Sequence, residues 1–230
     1  MMRYLMVVGF VAGLLGSVRA QDAAQLLERA RLATTLQESD LTGTIRKGRQ
    51  KTAVSLFLRG KNIQFTTNDG AERFHMRLGD EKIQLLEIIN GKTQPFADKK
   101  LRQPIAGSDL TYEDLSMRFF YWPKPQLLGG ERVKTYDCWK IRINNPGHGG
   151  DYGVVYVWIH KKFGAFMKIE GFDRQGNRLK QFTVEDVMKL SDGSYTLKKM
   201  EVQSHRGGKV TGRSYLEFEK PSRPGPKGPR

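Results

Sequence analysis

The chain has 230 residues, 38% hydrophobic and 27% charged, with a formal net charge of +15 and one cysteine, Cys138. That length and apolar share support a packed core in one domain or at most two. A single cysteine excludes an intramolecular disulfide framework and a multi-cysteine zinc site, so Cys138 is expected as a small packed residue beside Trp139.

The chain opens MMRYLMVVGFVAGLLGSVRAQDAAQ: a basic start at Arg3, an apolar run over residues 4–15, and small residues Val18 and Ala20 ahead of Gln21. The apolar run is shorter than the about 20 residues a bilayer crossing takes. A cleavable signal peptide over residues 1–20 is therefore expected, with an exported product. Basicity alone raises nucleic acid as a partner. Export argues against it, and anionic lipid headgroups or acidic protein surfaces fit better; no nucleic-acid partner is expected.

Next, DAAQLLERARLATTL (22–36) spaces Ala23, Leu26, Leu27, Ala30 and Ala33 for one helix face, with Asp22 able to cap its start. From Asp40 the period changes to two. Val54, Leu56 and Leu58 alternate, as do Ile63 and Phe65, then Phe74, Met76 and Leu78. Turn signals RGKN, NDG, GDE and NGK separate these runs, which predicts an antiparallel meander.

At the centre lies GSDLTYEDLSMRFFYWP (107–123), with Asp109, Glu113 and Asp114 close together. Thr111 followed three residues later by Asp114 is a capping-box pattern, and the two carboxylates of the first turn oppose the positive helix end. Capping is preferred here to acid–base catalysis or cation binding, which needs more oxygen ligands. A helix over 111–120 is predicted, running into aromatics that plug the end of the sheet before Pro123.

The meander resumes with DCWKIRIN, where Trp139, Ile141 and Ile143 face one way and Lys140 and Arg142 the other. VVYVWI (154–159) breaks the alternation, being apolar on both faces. Both faces should then be covered, by core and lid, another protein or a ligand. KPSRPGPKGPR (220–230) has no apolar periodicity and reads as a basic, extended tail.

Signals for catalysis are sparse. His75, His148, His160 and His205 are far apart and form no HExxH pair, and no GxSxG elbow occurs. SHRGGKVTG (204–212) reads as a hairpin turn. A His148–Asp151 acid–base pair in NNPGHGGDYG (144–153) is conceivable, but it has no nucleophile nearby in sequence. No catalytic residue, metal site or cofactor is assigned, and an enzyme is not expected.

Two stretches, GSDLTYEDLS (107–116) and VWIHKKFGAFMKIEGFDRQGNRLKQF (157–182), carry a resemblance to the LolA-like outer-membrane lipoprotein-sorting proteins. It is to the divergent branch of the LolA/LolB/RseB-like superfamily. DGSYTLKKMEV (192–202) resembles a third strand of that branch but has Lys198 where proline is frequent. The resemblance implies a mainly β (α+β) fold over 21–219: one curved antiparallel sheet of about 10–11 strands forming an incomplete β-barrel, with helices packed on the concave face. It also implies a monomeric periplasmic carrier whose cavity holds lipoprotein acyl chains or phospholipid, received from an inner-membrane donor and passed to an outer-membrane acceptor protein. Candidate cavity residues are Phe57, Phe65, Trp122, Tyr156 and Trp158. An envelope sensor or regulatory protein-binding module on the same fold is the alternative.

Overall fold

The computed structural model describes residues 23–31, 40–67, 72–80, 82–89, 91–147, 149–191 and 193–221. The expected signal peptide, Asp22, Ala33, His148, the NDG turn and residues 222–230 of the tail lie outside them. Within them, thirteen strands form one antiparallel sheet. They are β1 (Asp40–Lys47), β2 (Gln50–Arg59), β3 (Asn62–Thr67), β4 (Glu72–Leu78), β5 (Ile83–Ile89), β6 (Lys92–Pro95), β7 (Gln126–Val133) and β8 (Tyr136–Asn144), then β9 (Val154–His160), β10 (Phe166–Phe172), β11 (Arg178–Lys189), β12 (Tyr195–Arg206) and β13 (Lys209–Phe218). Their spatial order is β6-β5-β4-β3-β2-β1-β13-β12-β11-β10-β9-β8-β7.

The sheet is thus two meanders, β1–β6 and β7–β13, zipped together where β1 pairs with β13. Edge strands β6 and β7 do not pair with each other, so the sheet is open. The expected 10–11 strands fall short of the observed thirteen. Both edge strands lack alternation: β6 (KTQP) is exposed throughout, and β7 carries Gly129 and Gly130 with mostly exposed side chains. Tight hairpins set the register elsewhere. Gly207 (φ 57°) and Gly208 (φ 76°) together make the two-residue β12–β13 turn, whose twist matches that of its strands only with positive φ.

Because β6 and β7 are opposite edges, the connection between them must cross a face of the sheet. It carries two short 3-10 turns, then α2 (Tyr112–Ser116) and a further 3-10 turn (Arg118–Tyr121). The predicted helix over 111–120 is therefore shorter than expected. Thr111 caps it: its Oγ1 accepts from Asp114 N at 3.2 Å, and Asp114 Oδ2 accepts from Thr111 N at 2.9 Å. Met117 then adopts the left-handed conformation (φ 46°) and ends it. Such a residue costs about 1–3 kcal/mol, offset as the redirected chain buries Phe119 and Phe120.

Residues 23–31 are also helical (α1), with Ala23, Leu27 and Ala30 buried at the expected spacing. They join one hydrophobic core with the alternating residues of both meanders, among them Leu58, Phe65, Met76, Ile141, Ile143, Val155, Val157 and Ile169. Cys138 is fully buried in this core, and burial pushes its thiol pKa up to about 11. A thiol held that far above neutral pH is not a ready nucleophile.

The doubly apolar strand has a different cover from any expected. Val155, Val157 and Ile159 face the core. Trp158, on the other face and only 2% exposed, is sandwiched between the ammonium groups of its two cross-strand neighbours, Lys140 at 4.8 Å and Lys168 at 4.6 Å from the ring. The ammonium groups also pair with Glu131 at 2.9 Å and Glu170 at 2.8 Å, and each adds about 0.5–1 kcal/mol of cation–π attraction.

Candidate functional site

An apolar cavity of about 370 Å³ lies between the sheet and the two helices. One wall comes from the first meander: Leu56 and Leu58 of β2, Ile63 and Phe65 of β3, Met76 and Leu78 of β4, Ile83 of β5. The opposite wall comes from the second: Phe166 and Met167, Val184 and Val187, Leu197 and Met200, Leu216 and Phe218. Ala30 and Arg31 of α1, with Leu110, Leu115, Met117, Phe120 and Tyr121, add to the lining. Register shifts at Val184/Asp186 and Asp186/Val187 form a bulge in β11, which lets both Val184 and Val187 line it. The volume is that of an ordinary small-ligand pocket, and thioether and aliphatic side chains give its wall adaptable contacts.

Of the five aromatics named from the sequence, Phe65 lines this cavity. Phe57 faces a shallow polar depression on the opposite side of β2, with Gln64 and Arg73. Trp122 packs edge-on against Phe119 outside the lining, at 6.4 Å between ring centroids. Tyr156 and Trp158 lie with Phe172 on the far face of the sheet. The lining residues that sequence reasoning passed over, Met200, Leu216 and Phe218 above all, alternate along β12 and β13 just as Phe65 does along β3. Period-two alternation was the available signal; choosing aromatics over aliphatics obscured it.

The acidic cluster lies mainly on the other side of α2, with Asp114 bordering both the apolar cavity and the polar pocket there. Asp109, Glu113 and Asp114 are all buried, and none is a solvated cap. Asp109 accepts from Ser214 Oγ at 2.7 Å, Ser204 Oγ at 3.0 Å and Lys47 Nζ at 3.2 Å. Burial pushes its carboxyl up, but these hydrogen bonds outweigh burial and hold it below the usual carboxylate range. Asp114 is the opposite case. It accepts from the Tyr152 hydroxyl and faces Lys180 Nζ at 3.8 Å, yet burial dominates and raises its pKa. Tyr152 itself is pushed well above a normal phenol, by burial and then by the Asp114 charge. Glu113 receives Arg118 at 2.6 Å and the backbone N–H of Asp151 at 3.3 Å.

These contacts pin the 109–114 segment to β1, β11, β12, β13 and the loop after β8. A polar pocket of about 450 Å³ lies there, bounded by Glu113, Asp114, Lys180 and His205. Asp151, the described half of the conceivable acid–base pair, is engaged by Arg102 at 2.8 Å. His148 lies outside the described residues. Among the described residues, no group of three or more His, Cys, Asp or Glu side chains is placed to hold a metal, and no helix is long and apolar enough to cross a membrane.

Comparison with known proteins gives the fold a context. The structure is similar to a putative outer membrane lipoprotein-sorting protein domain from Vibrio parahaemolyticus, with TM-score 0.66, 16% identity, and coverage of 87% of this chain and 92% of that one. A LolA superfamily protein from Nitrosomonas europaea matches with TM-score 0.61 and 17% identity, over 86% of this chain and 91% of that one. A DUF1329 family protein from Desulfovibrio piger matches with TM-score 0.61 and 16% identity, over 87% and 91%. No curated protein matches the sequence significantly. A family model described as "Uncharacterized protein" matches residues 90–222, more than half of the chain. The chain belongs to that family, and its fold is the LolA-like fold that its sequence resembles.

Proposed function

We propose that the protein is an exported, periplasmic carrier that holds acyl chains of lipidated proteins or other lipids in the cavity between the sheet and its helices. In this reading the open sheet curls as an incomplete barrel around α1 and α2, which lie on its concave face. The observation that carries it is the character of the cavity: about 370 Å³ faced almost wholly by aliphatic, thioether and aromatic side chains. Each CH₂ moved there from water contributes about 0.8 kcal/mol. Phe65 and its aliphatic neighbours supply the contact, and binding calls for no nucleophile or cofactor. The likeness to lipoprotein-sorting proteins, at 16–17% identity, supports the fold on which the reading stands.

Protein purified gently from its own cell envelope, extracted with organic solvent and analysed by mass spectrometry, is expected to release stoichiometric acyl lipid. A soluble envelope protein serves as the control. Lipid-free protein, together with failure of a fluorescent fatty acid to bind, counts against the carrier and in favour of a regulatory protein-binding module on the same fold.

A further inference from the structure

We propose that the rim where the cavity meets solvent is a docking surface for an anionic lipid bilayer. Seven large hydrophobic side chains are exposed among the described residues, and four of them, Tyr136, Phe163, Val187 and Tyr195, gather at this rim and line the cavity. Their rings form a connected row: Tyr136 to His160 at 5.3 Å, His160 to Phe163 at 4.7 Å, and Phe163 to Tyr195 at 5.8 Å. Phe163 is 56% exposed and Tyr195 52%, so an apolar ridge stands in water at the cavity's opening.

The ridge is built to project. The turn after β9 is fixed by His160, whose Nδ1 accepts from the backbone N–H groups of Lys162 at 3.0 Å and Phe163 at 3.2 Å. Phe163 is thereby held at the tip of a short, braced turn.

Charge around the ridge identifies its partner. Lys161 and Lys162 precede Phe163, Lys189 pairs across strands with Tyr195, and exposed Arg29 of α1 stands beside the turn at Gly164. Among the described residues none of these four cations makes an ion pair. Of the described carboxylates on the adjacent strands and turn, Asp137 pairs with Arg132, Glu185 with Lys134 and Asp186 with Lys198. Lys161 lies over the Trp139 ring at 4.1 Å and Lys162 over Phe163 at 5.4 Å. Aromatic rings interleaved with basic side chains that hold no carboxylate match the two layers of a bilayer interface, its acyl boundary and its anionic headgroups. The surface also adjoins the cavity mouth, so a docked molecule faces the membrane with its opening. Docking does not require that the cavity hold lipid, and it is tested separately.

The test is co-sedimentation of the purified protein with vesicles of phosphatidylethanolamine and phosphatidylglycerol, against vesicles of phosphatidylcholine alone. Binding to the anionic vesicles is expected. Neutralising Lys161→Gln with Lys162→Gln is expected to weaken it about 20- to 30-fold at low salt. Neutralising Lys51→Gln with Lys92→Gln, equal in charge but remote from the rim, is expected to weaken it less than about threefold. Phe163→Ser with Tyr195→Ser is expected to abolish sedimentation; since that pair could upset folding, Phe163→Trp provides an independent reading through a blue shift of emission on vesicle addition. Absence of anionic-vesicle binding by the parent protein, equal losses from the two lysine pairs, or an unshifted emission from Phe163→Trp overturns the proposal.

Discussion

The two sides of α2 differ in kind. Facing the first wall of the sheet, side chains such as Leu115 and Met117 border empty apolar space. Facing β1 and β11–β13, Asp109 and Asp114 are enclosed by hydrogen-bond and ion-pair partners reaching from four distant strands. One segment thus serves as roof to a cavity and as anchor to the sheet. The anchor allows the roof to stay in place with a void beneath it: directional bonds fix the segment, so close packing on its other face is not required. The polar side should accordingly tolerate little change, and the cavity side a good deal.

The largest expected effect is at Asp109. Asp109→Ala strips a buried charge from Lys47, Ser204 and Ser214 and leaves their polar groups without it. Each hydroxyl left without its acceptor costs about 1–3 kcal/mol, readable as a lowered midpoint in urea denaturation. A loss below about 1 kcal/mol would mean that the anchor is solvated. Gly212→Ala comes next, because a Cβ there would overlap the Asp109 carboxylate. Overpacking of that kind costs about 1–3 kcal/mol, and the same measurement in the Asp109→Ala background should show most of the cost relieved.

On the cavity side the expected sign reverses. Leu197→Trp adds bulk to a wall that borders a void, so stability should change by no more than about 1 kcal/mol while fatty-acid capacity falls. Thermal melts together with titration of a fluorescent fatty acid check both halves. A large destabilisation without loss of capacity would show that Leu197 belongs to close-packed core and would remove the contrast.

Much of this division was legible in the sequence, though unevenly. Alternation in β2, β3 and β4 marked Leu56, Leu58, Phe65, Met76 and Leu78 as one face of the first meander; all five line the cavity, though only Phe65 was named for it. Thr111 and Asp114, three residues apart, announced the capping box that forms. The burial of the acidic cluster was not legible, because Asp109 meets Ser204 and Ser214 across separations of 95 and 105 residues. No local pattern encodes which strands will converge on a crossover. Trp158 shows the same limit. Its indole reads as core or ligand wall until the register sets Lys140 on one side and Lys168 on the other.

The smallest expected effect is a pH slope, and it too divides by location. Burial lowers the pKa of His75, His160 and His205 below the ordinary histidine value. In the unfolded chain they titrate near about 6.5. As pH falls through that value the unfolded state takes up protons that the folded state refuses, so stability declines until the lowered folded pKa values are reached and then levels off. His160 has a structural reason to resist: protonation would turn Nδ1 from an acceptor of two N–H groups into a donor facing them. His205, whose two ring nitrogens have no hydrogen-bond partner among the described residues, has burial first and then the positive charge of Arg178 against it. Equilibrium denaturation between pH 7.5 and 5.5 should show the decline, and His205→Gln should flatten it without touching the turn that carries Phe163. In histidine ring NMR, loss of the Phe163 turn should coincide with titration of His160 alone. If the turn instead loosens as His205 titrates, the cavity mouth and the polar anchor are coupled through the sheet, and the two sides of α2 do not respond independently.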